Sequence, residues 1–185
     1  MRIALAEKNI PWEPIFVNLR ADENDRPEYL ALNPNGSVPT LVDGETVVYD
    51  STIVNEYLED RSPDPPLLGT DPVRRAQVRM WEDDADNNFG RPAEMIFIHQ
   101  KGWRTFGEED LAGFRSRILE HLERLEKHLE GRSYLVGDFS LADVAHAPRI
   151  IMLEDLGIEV RAHWKNVRSY IERLRQRPSL QNLER

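Results

Sequence analysis

The sequence predicts an α/β unit followed by an all-helical one, and three stretches carry that prediction. Asn33 to Ser51, NPNGSVPTLVDGETVVYDS, reads as loop, X-Pro, strand, tight turn, strand and helix start. Arg61 to Pro72, RSPDPPLLGTDP, holds four prolines in twelve residues, which rules out regular helix or sheet and marks a linker. Beyond it, apolar residues recur at spacings of three and four, the period of helices with one buried face.

Taken in order, Met1 to Asn9 is helix-like, with Ile3, Leu5 and Ala6 on its apolar side and Ile10-Pro11 as its stop. No capping residue precedes it, so the chain reads as though it begins inside a helix. Trp12 to Leu19 predicts a strand, because Ile15, Val17 and Leu19 alternate with Phe16 and Asn18. Arg20 to Arg26 is charged and loop-like, and Pro27 to Leu32 is a short helix candidate. Pro39 cannot donate to a ladder, so it belongs at a strand edge or first position, ahead of the strand Thr40 to Asp43. Asp43-Gly44 signals a hairpin turn into the strand Glu45 to Tyr49. Asp50 and Ser51 are cap-type residues before the apolar run Thr52 to Leu58, so a helix starts there and runs to about Glu59.

After the linker, Val73 to about Lys101 predicts a long helix or a broken pair, with Gly90-Arg91-Pro92 as the kink. Leu111, Phe114, Ile118, Leu122, Leu125 and Leu129 form one stripe on a further helix, closed by Gly131. His121 and His128 lie seven apart on it. That spacing lacks further ligands for a metal, so a solvated or interface face is expected. Ser140 and Asp143 form a capping-box pattern, with Phe139 placed to staple against Val144. Trp164 to Arg177 is a last helix, stopped by Pro178.

Composition bounds the function. The 185 residues are 40% apolar, enough for a packed core, and carry a net charge of -9, which disfavours nucleic acid and anionic membrane as partners. There is no cysteine, hence no disulfide framework and no thiolate among these residues. No run approaches the ~20 apolar residues of a membrane span, and Met1 opens no charged-then-apolar leader. A cytoplasmic protein without bound metal is expected.

The central stretch has a chemical use. A Val with free backbone N–H and C=O beside a Pro can pair with an extended peptide as an added strand does. A helix N-terminus with a Ser hydroxyl suits a carboxylate. Together, Val38-Pro39 and Asp50-Ser51 can hold a small peptide by its middle and one end.

The order N-P-x-G-x-V-P-x-L, D-G, then D-S before a helix containing E-Y-L resembles the glutathione S-transferase family. GDFSLAD, Gly137 to Asp143, extends the resemblance to the family's sixth helix, where its role is structural. The resemblance implies a thioredoxin-like domain over residues 1-60, a linker over 61-72 and an all-helical domain over 73-185. It implies a cis peptide at Pro39, pairing of Val38 with the cysteinyl backbone of glutathione, and Asp50 and Ser51 on the γ-glutamyl end. It implies an enzyme in which a hydroxyl or thiol donor stabilises the glutathione thiolate, which then attacks a small-molecule electrophile between the domains. Phe89, Met95 and His99 are the candidates for that lining. It also implies a homodimer.

One departure stands against it. RIALAEKNIPWEPIFV is similar to the family's first helix and following strand, so the family's first strand and its catalytic loop have no counterpart here. The thioredoxin-like domain is therefore expected to be incomplete at its start, and the catalytic residue is unknown. A glutathione-transferase-like interaction module without catalysis, of the translation or stress-response type, is the alternative.

Overall fold

The computed structural model describes residues 1–181. These divide into two compact units, one from Met1 to Leu67 and one from Leu68 onward. The first holds α1 (Arg2–Glu7), α2 (Pro27–Leu30), β1 (Thr40–Asp43), β2 (Thr46–Tyr49) and α3 (Ser51–Arg61). The second holds α4 (Pro72–Asp84), α5 (Arg91–Gln100), α6 (Glu108–His128), α7 (Leu141–Ile151), α8 (Lys165–Arg175) and α9 (Pro178–Gln181).

In the first unit β1 and β2 form an antiparallel hairpin, with Thr40 opposite Tyr49 and Asp43 opposite Thr46. Gly44 opens the two-residue turn at φ +61°, a backbone state that glycine reaches without a steric penalty. The predicted strand over Trp12 to Leu19 is absent: among the described residues the sheet has only these two strands. Alternation is a necessary signal, but a strand also needs a ladder partner, and none lies beside this segment. Ile15 and Phe16 are each 84% exposed. Local bonds take over at its end. Asn18 Oδ1 accepts from Arg20 N–H at 3.1 Å, and Asn18 N–H donates to Glu23 Oε2 at 2.8 Å, which builds tight turns over Leu19–Ala21 and Glu23–Asp25.

In the second unit the predicted kink is a widened, π-type turn, Ala85–Gly90, between α4 and α5. Pro92 lies in the first turn of α5, directly after the π-type turn. The apolar stripe of α6 buries Leu111, Ile118, Leu122 and Leu125. The capping box at Ser140 and Asp143 is present and starts α7. Phe139 is buried, and its ring meets Tyr134 edge-on at 5.4 Å while the Arg177 guanidinium covers it at 3.7 Å. Pro178 stops α8 and opens the short α9. Glu126 of α6 receives the Asn166 and Val167 N–H groups at 3.2 and 2.9 Å, so a neighbouring helix caps α8. The expected solvated or interface face of His121 is corrected. The ring is 1% exposed and stacks on Phe89 in the core, because α6 is packed on both sides of that position. His128 is half-buried and bonds the Leu135 carbonyl at 2.8 Å.

Candidate functional site

The hairpin decides what meets at its open end. Thr40 and Tyr49 are the last register pair, so Pro39 and Asp50 are the next residues of the two strands beyond it. The Val38-Pro39 peptide bond is cis. Val38 is exposed, and its backbone N–H and C=O have no partner among the described residues. They are the groups an incoming extended chain would need.

A cradle holds this loop. Asn33 is fully buried and donates through Nδ2 to the Ser37 carbonyl at 2.7 Å. The Tyr29 hydroxyl donates to the same carbonyl at 2.6 Å and lies 2.9 Å from Thr40 Oγ1. Gly36 takes φ +59° and offers its carbonyl to Asn24 Nδ2 at 2.9 Å. A Cβ there would meet Asp25 Oδ1 at 3.0 Å, so the turn needs glycine on both counts. Tyr29 and Asn33 are positioning residues that the sequence reading missed. The signal was present in the Asn-Pro-Asn-Gly start of the loop, where Asn side chains bond nearby backbone.

Asp50 is the N-cap of α3. It leaves the strand at φ +74°, and its Oδ1 accepts from Thr52 N–H at 2.9 Å and Ile53 N–H at 3.2 Å. Ser51 is the first helical residue, and its hydroxyl makes no bond among the described residues. One carboxylate, one free hydroxyl and a helix N-terminus thus follow one end of the hairpin's last register pair, and the free Val38 backbone lies two residues before the other.

At the far end of the hairpin, Asp43 ties the sheet to α3. It accepts from the Tyr57 hydroxyl at 2.8 Å and pairs with the Arg61 guanidinium. The Arg61 hydrogen bond, and then that of Tyr57, hold the Asp43 carboxyl below its ordinary range, and the same contact raises Tyr57.

The three residues expected to line a second-substrate site fare differently. Phe89 is wholly buried in the π-type turn, stacked 4.7 Å from the His121 ring, so it is a core ring and not a lining one. Met95 and His99 stand four apart on α5, both half-buried. His99 Nδ1 accepts from the Phe106 N–H at 3.2 Å, which fixes the ring. No helix among the described residues is long and apolar enough to cross a membrane.

Comparison with known proteins gives the same reading for both units. Residues 1–61 match the glutathione S-transferase N-terminal domain, and residues 91–178 match its C-terminal domain. Glutathione S-transferase F10 of Arabidopsis thaliana is 34% identical over 154 residues, 79% of this chain and 71% of that protein. A stringent starvation protein A homolog of Haemophilus ducreyi is 32% identical over 181 residues, 97% of this chain and 80% of the relative. The crystal structure of poplar glutathione transferase F1 superposes with a TM-score of 0.86 at 26% identity, covering 97% of this chain and 87% of that one. Matched domains, sequence identity and fold agree with the motif order from Asn33 to Ser51: the chain belongs to the glutathione S-transferase family.

Proposed function

We propose that the protein binds glutathione at the open end of the β1–β2 hairpin and uses it on a small electrophile. Val38 pairs its backbone with the cysteinyl part of the tripeptide as an added strand would. Asp50 takes the γ-glutamyl ammonium, and Ser51 with the N-terminus of α3 takes the γ-glutamyl carboxylate. The observation that supports this reading is the hairpin: its closing pair Thr40–Tyr49 lies two residues from a Val with unpaired backbone groups and one to two residues from a carboxylate and an unbonded hydroxyl. In the reaction the glutathione sulfur, as thiolate, forms a C–S bond to the electrophile while the leaving group departs with the electron pair. The donor that stabilises the thiolate is not assigned to a residue of this chain. Met95 and His99 are proposed to line the electrophile's site. The functional molecule is proposed to be a homodimer, which light scattering at micromolar concentration tests.

The likeness to a stringent starvation protein A homolog supports a second reading, an interaction module that does not turn over glutathione. Isothermal titration with glutathione, followed by a conjugation assay with an aromatic halide, separates the two. Binding with turnover supports the transferase, and binding without turnover supports the module. Absence of binding overturns the site.

A further inference from the structure

Asp84 at the end of α4, His121 on α6 and His146 on α7 each offer a ligand atom, and these atoms lie within 4.8 Å of one another. Both histidines are buried, at 1% and 0% exposure, and Asp84 is the cluster's edge towards solvent, with 13% of its side chain accessible. This group lies wholly in the helical unit and takes no part in the proposed glutathione site.

The hydrogen bonds fix what the His146 ring presents. His146 Nδ1 is 2.9 Å from the Ala142 carbonyl, which can only accept, so Nδ1 carries the proton and Nε2 holds a lone pair. That Nε2 is buried without a partner. His121 Nδ1 lies 3.1 Å from Asp84 Oδ2 and 3.1 Å from Arg124 Nη2. A bond from Arg124, which can only donate, leaves the proton on Nε2, and a bond to Asp84 leaves Nε2 the lone pair; in both cases Nε2 is buried without a partner. Two orphaned imidazole nitrogens in one core are unusual, since buried polar atoms are nearly always paired.

We propose that Asp84, His121 and His146 form a binding site for one divalent transition-metal ion of the zinc type. Two imidazole nitrogens and one carboxylate oxygen are a ligand set that zinc accepts, with a water or a second carboxylate oxygen as the fourth ligand. The ring spacing fits. Two imidazoles bound about 2.1 Å from a tetrahedral ion have centroids roughly 5 Å apart; those of His121 and His146 are 5.4 Å apart and 15° from parallel, so a ring must turn on binding to aim both in-plane lone pairs at one ion. The Ala142 carbonyl behind His146 is the outer partner that orients a ligating imidazole. Asn88 Nδ2, 2.6 Å from Asp84 Oδ1, does the same for the carboxylate. Arg149 adds positive charge near His146, and Arg124, bonded to His121 Nδ1, opposes a cation most directly. Its side chain is 58% exposed, so it can turn to solvent when the ion enters past Asp84.

The test uses the whole chain, stripped with EDTA and titrated with Zn2+ by calorimetry and with Co2+ by visible absorption. The expected result is one equivalent bound, a tetrahedral Co2+ band and a raised thermal midpoint. His121→Gln and His146→Gln should each weaken uptake at least about a hundredfold, since loss of a ligand exceeds the 10–100-fold seen for outer partners. Nitrogen NMR on the unsubstituted protein keeps the test valid should either variant fail to fold: Zn2+ should shift Nε2 of His146. No stoichiometric uptake overturns the proposal. So does uptake that both variants retain, or an Nε2 resonance that reports a proton shared between the rings and is unmoved by Zn2+.

Discussion

Lys8 Nζ lies 2.6 Å from Glu59 Oε2, with the lysine side chain at 0% and the glutamate at 6% exposure. The ammonium's other two hydrogens go to the Ser62 and Pro65 carbonyls at 2.7 and 2.9 Å, so all three donors are used. Glu59 in turn receives the Leu67 N–H on both oxygens at 3.1 Å. A single buried ion pair thus fixes α1, the end of α3 and the proline-rich segment to one another. It is local to the first unit, and it orients the helix whose N-terminus is the candidate carboxylate site.

Removing one member leaves the other charged and buried. Lys8→Met should therefore cost about 3–5 kcal/mol in urea denaturation, as should Glu59→Leu. The double substitution should cost clearly less than the sum, because it removes both charges together. Additive losses would show that the pair is not coupled.

Asp143 is more than a cap. It is fully buried and accepts from Leu135 N–H at 3.0 Å, Ser140 N–H at 2.9 Å, the Ser140 hydroxyl at 3.0 Å and the Tyr170 hydroxyl at 2.8 Å. A lost cap alone costs about 1 kcal/mol. Here buried donors are orphaned as well, at about 1–3 kcal/mol each. Asp143→Ala should thus lower stability by at least about 2 kcal/mol, read as a fall in denaturant midpoint. Glutathione affinity at equal folding should not change, and a drop in it would place Asp143 in the binding machinery instead.

These residues mark how far the sequence could be read. Pro39, Asp43-Gly44 and Ser140 with Asp143 act within a few residues of themselves, so hairpin, helix start and cap were legible. The α6 stripe was legible because its period is local too. Trp12 to Leu19 was not, since its alternation needs a partner strand that pairing, not composition, must supply. His121 was weighed only against His128, seven residues on. Its real neighbours, Asp84 and His146, come from other helices. Phe89 reads as an aromatic on a cleft helix until the π-type turn rotates it into the core. The hairpin between Val38-Pro39 and Asp50-Ser51 was legible in the motif order, whereas the Asn33 and Tyr29 cradle beneath it was not.

Asp43 should titrate low. Arg61 first, then Tyr57, hydrogen-bond the charged form and depress the folded pKa. In the unfolded chain an Asp titrates near ~3.9. Between the two values the unfolded state binds more protons, so stability rises with pH there. The contribution is present above the unfolded value and is lost as pH falls through the lowered folded one. Carboxyl carbon NMR should give Asp43 a midpoint below that of exposed aspartates, and Arg61→Ala should move it up. An Asp43 midpoint that ignores Arg61→Ala would remove the guanidinium as the cause.

Asp50 and Ser51 separate capping from binding. Asp50 bonds two helix N–H groups, so Asp50→Ala should cost α3 about 1 kcal/mol and weaken glutathione binding as well. Ser51 spends its hydroxyl on nothing among the described residues, so Ser51→Ala should leave the denaturant midpoint within about 0.5 kcal/mol. Its loss should appear only with ligand, as a hydrogen bond to a charged carboxylate worth about 1.5–3 kcal/mol, roughly a ten- to hundredfold rise in Kd. Calorimetry and urea melts on the same two variants give both numbers. If Ser51→Ala destabilises the fold as much as it weakens binding, the hydroxyl is a structural cap and the γ-glutamyl carboxylate sits elsewhere.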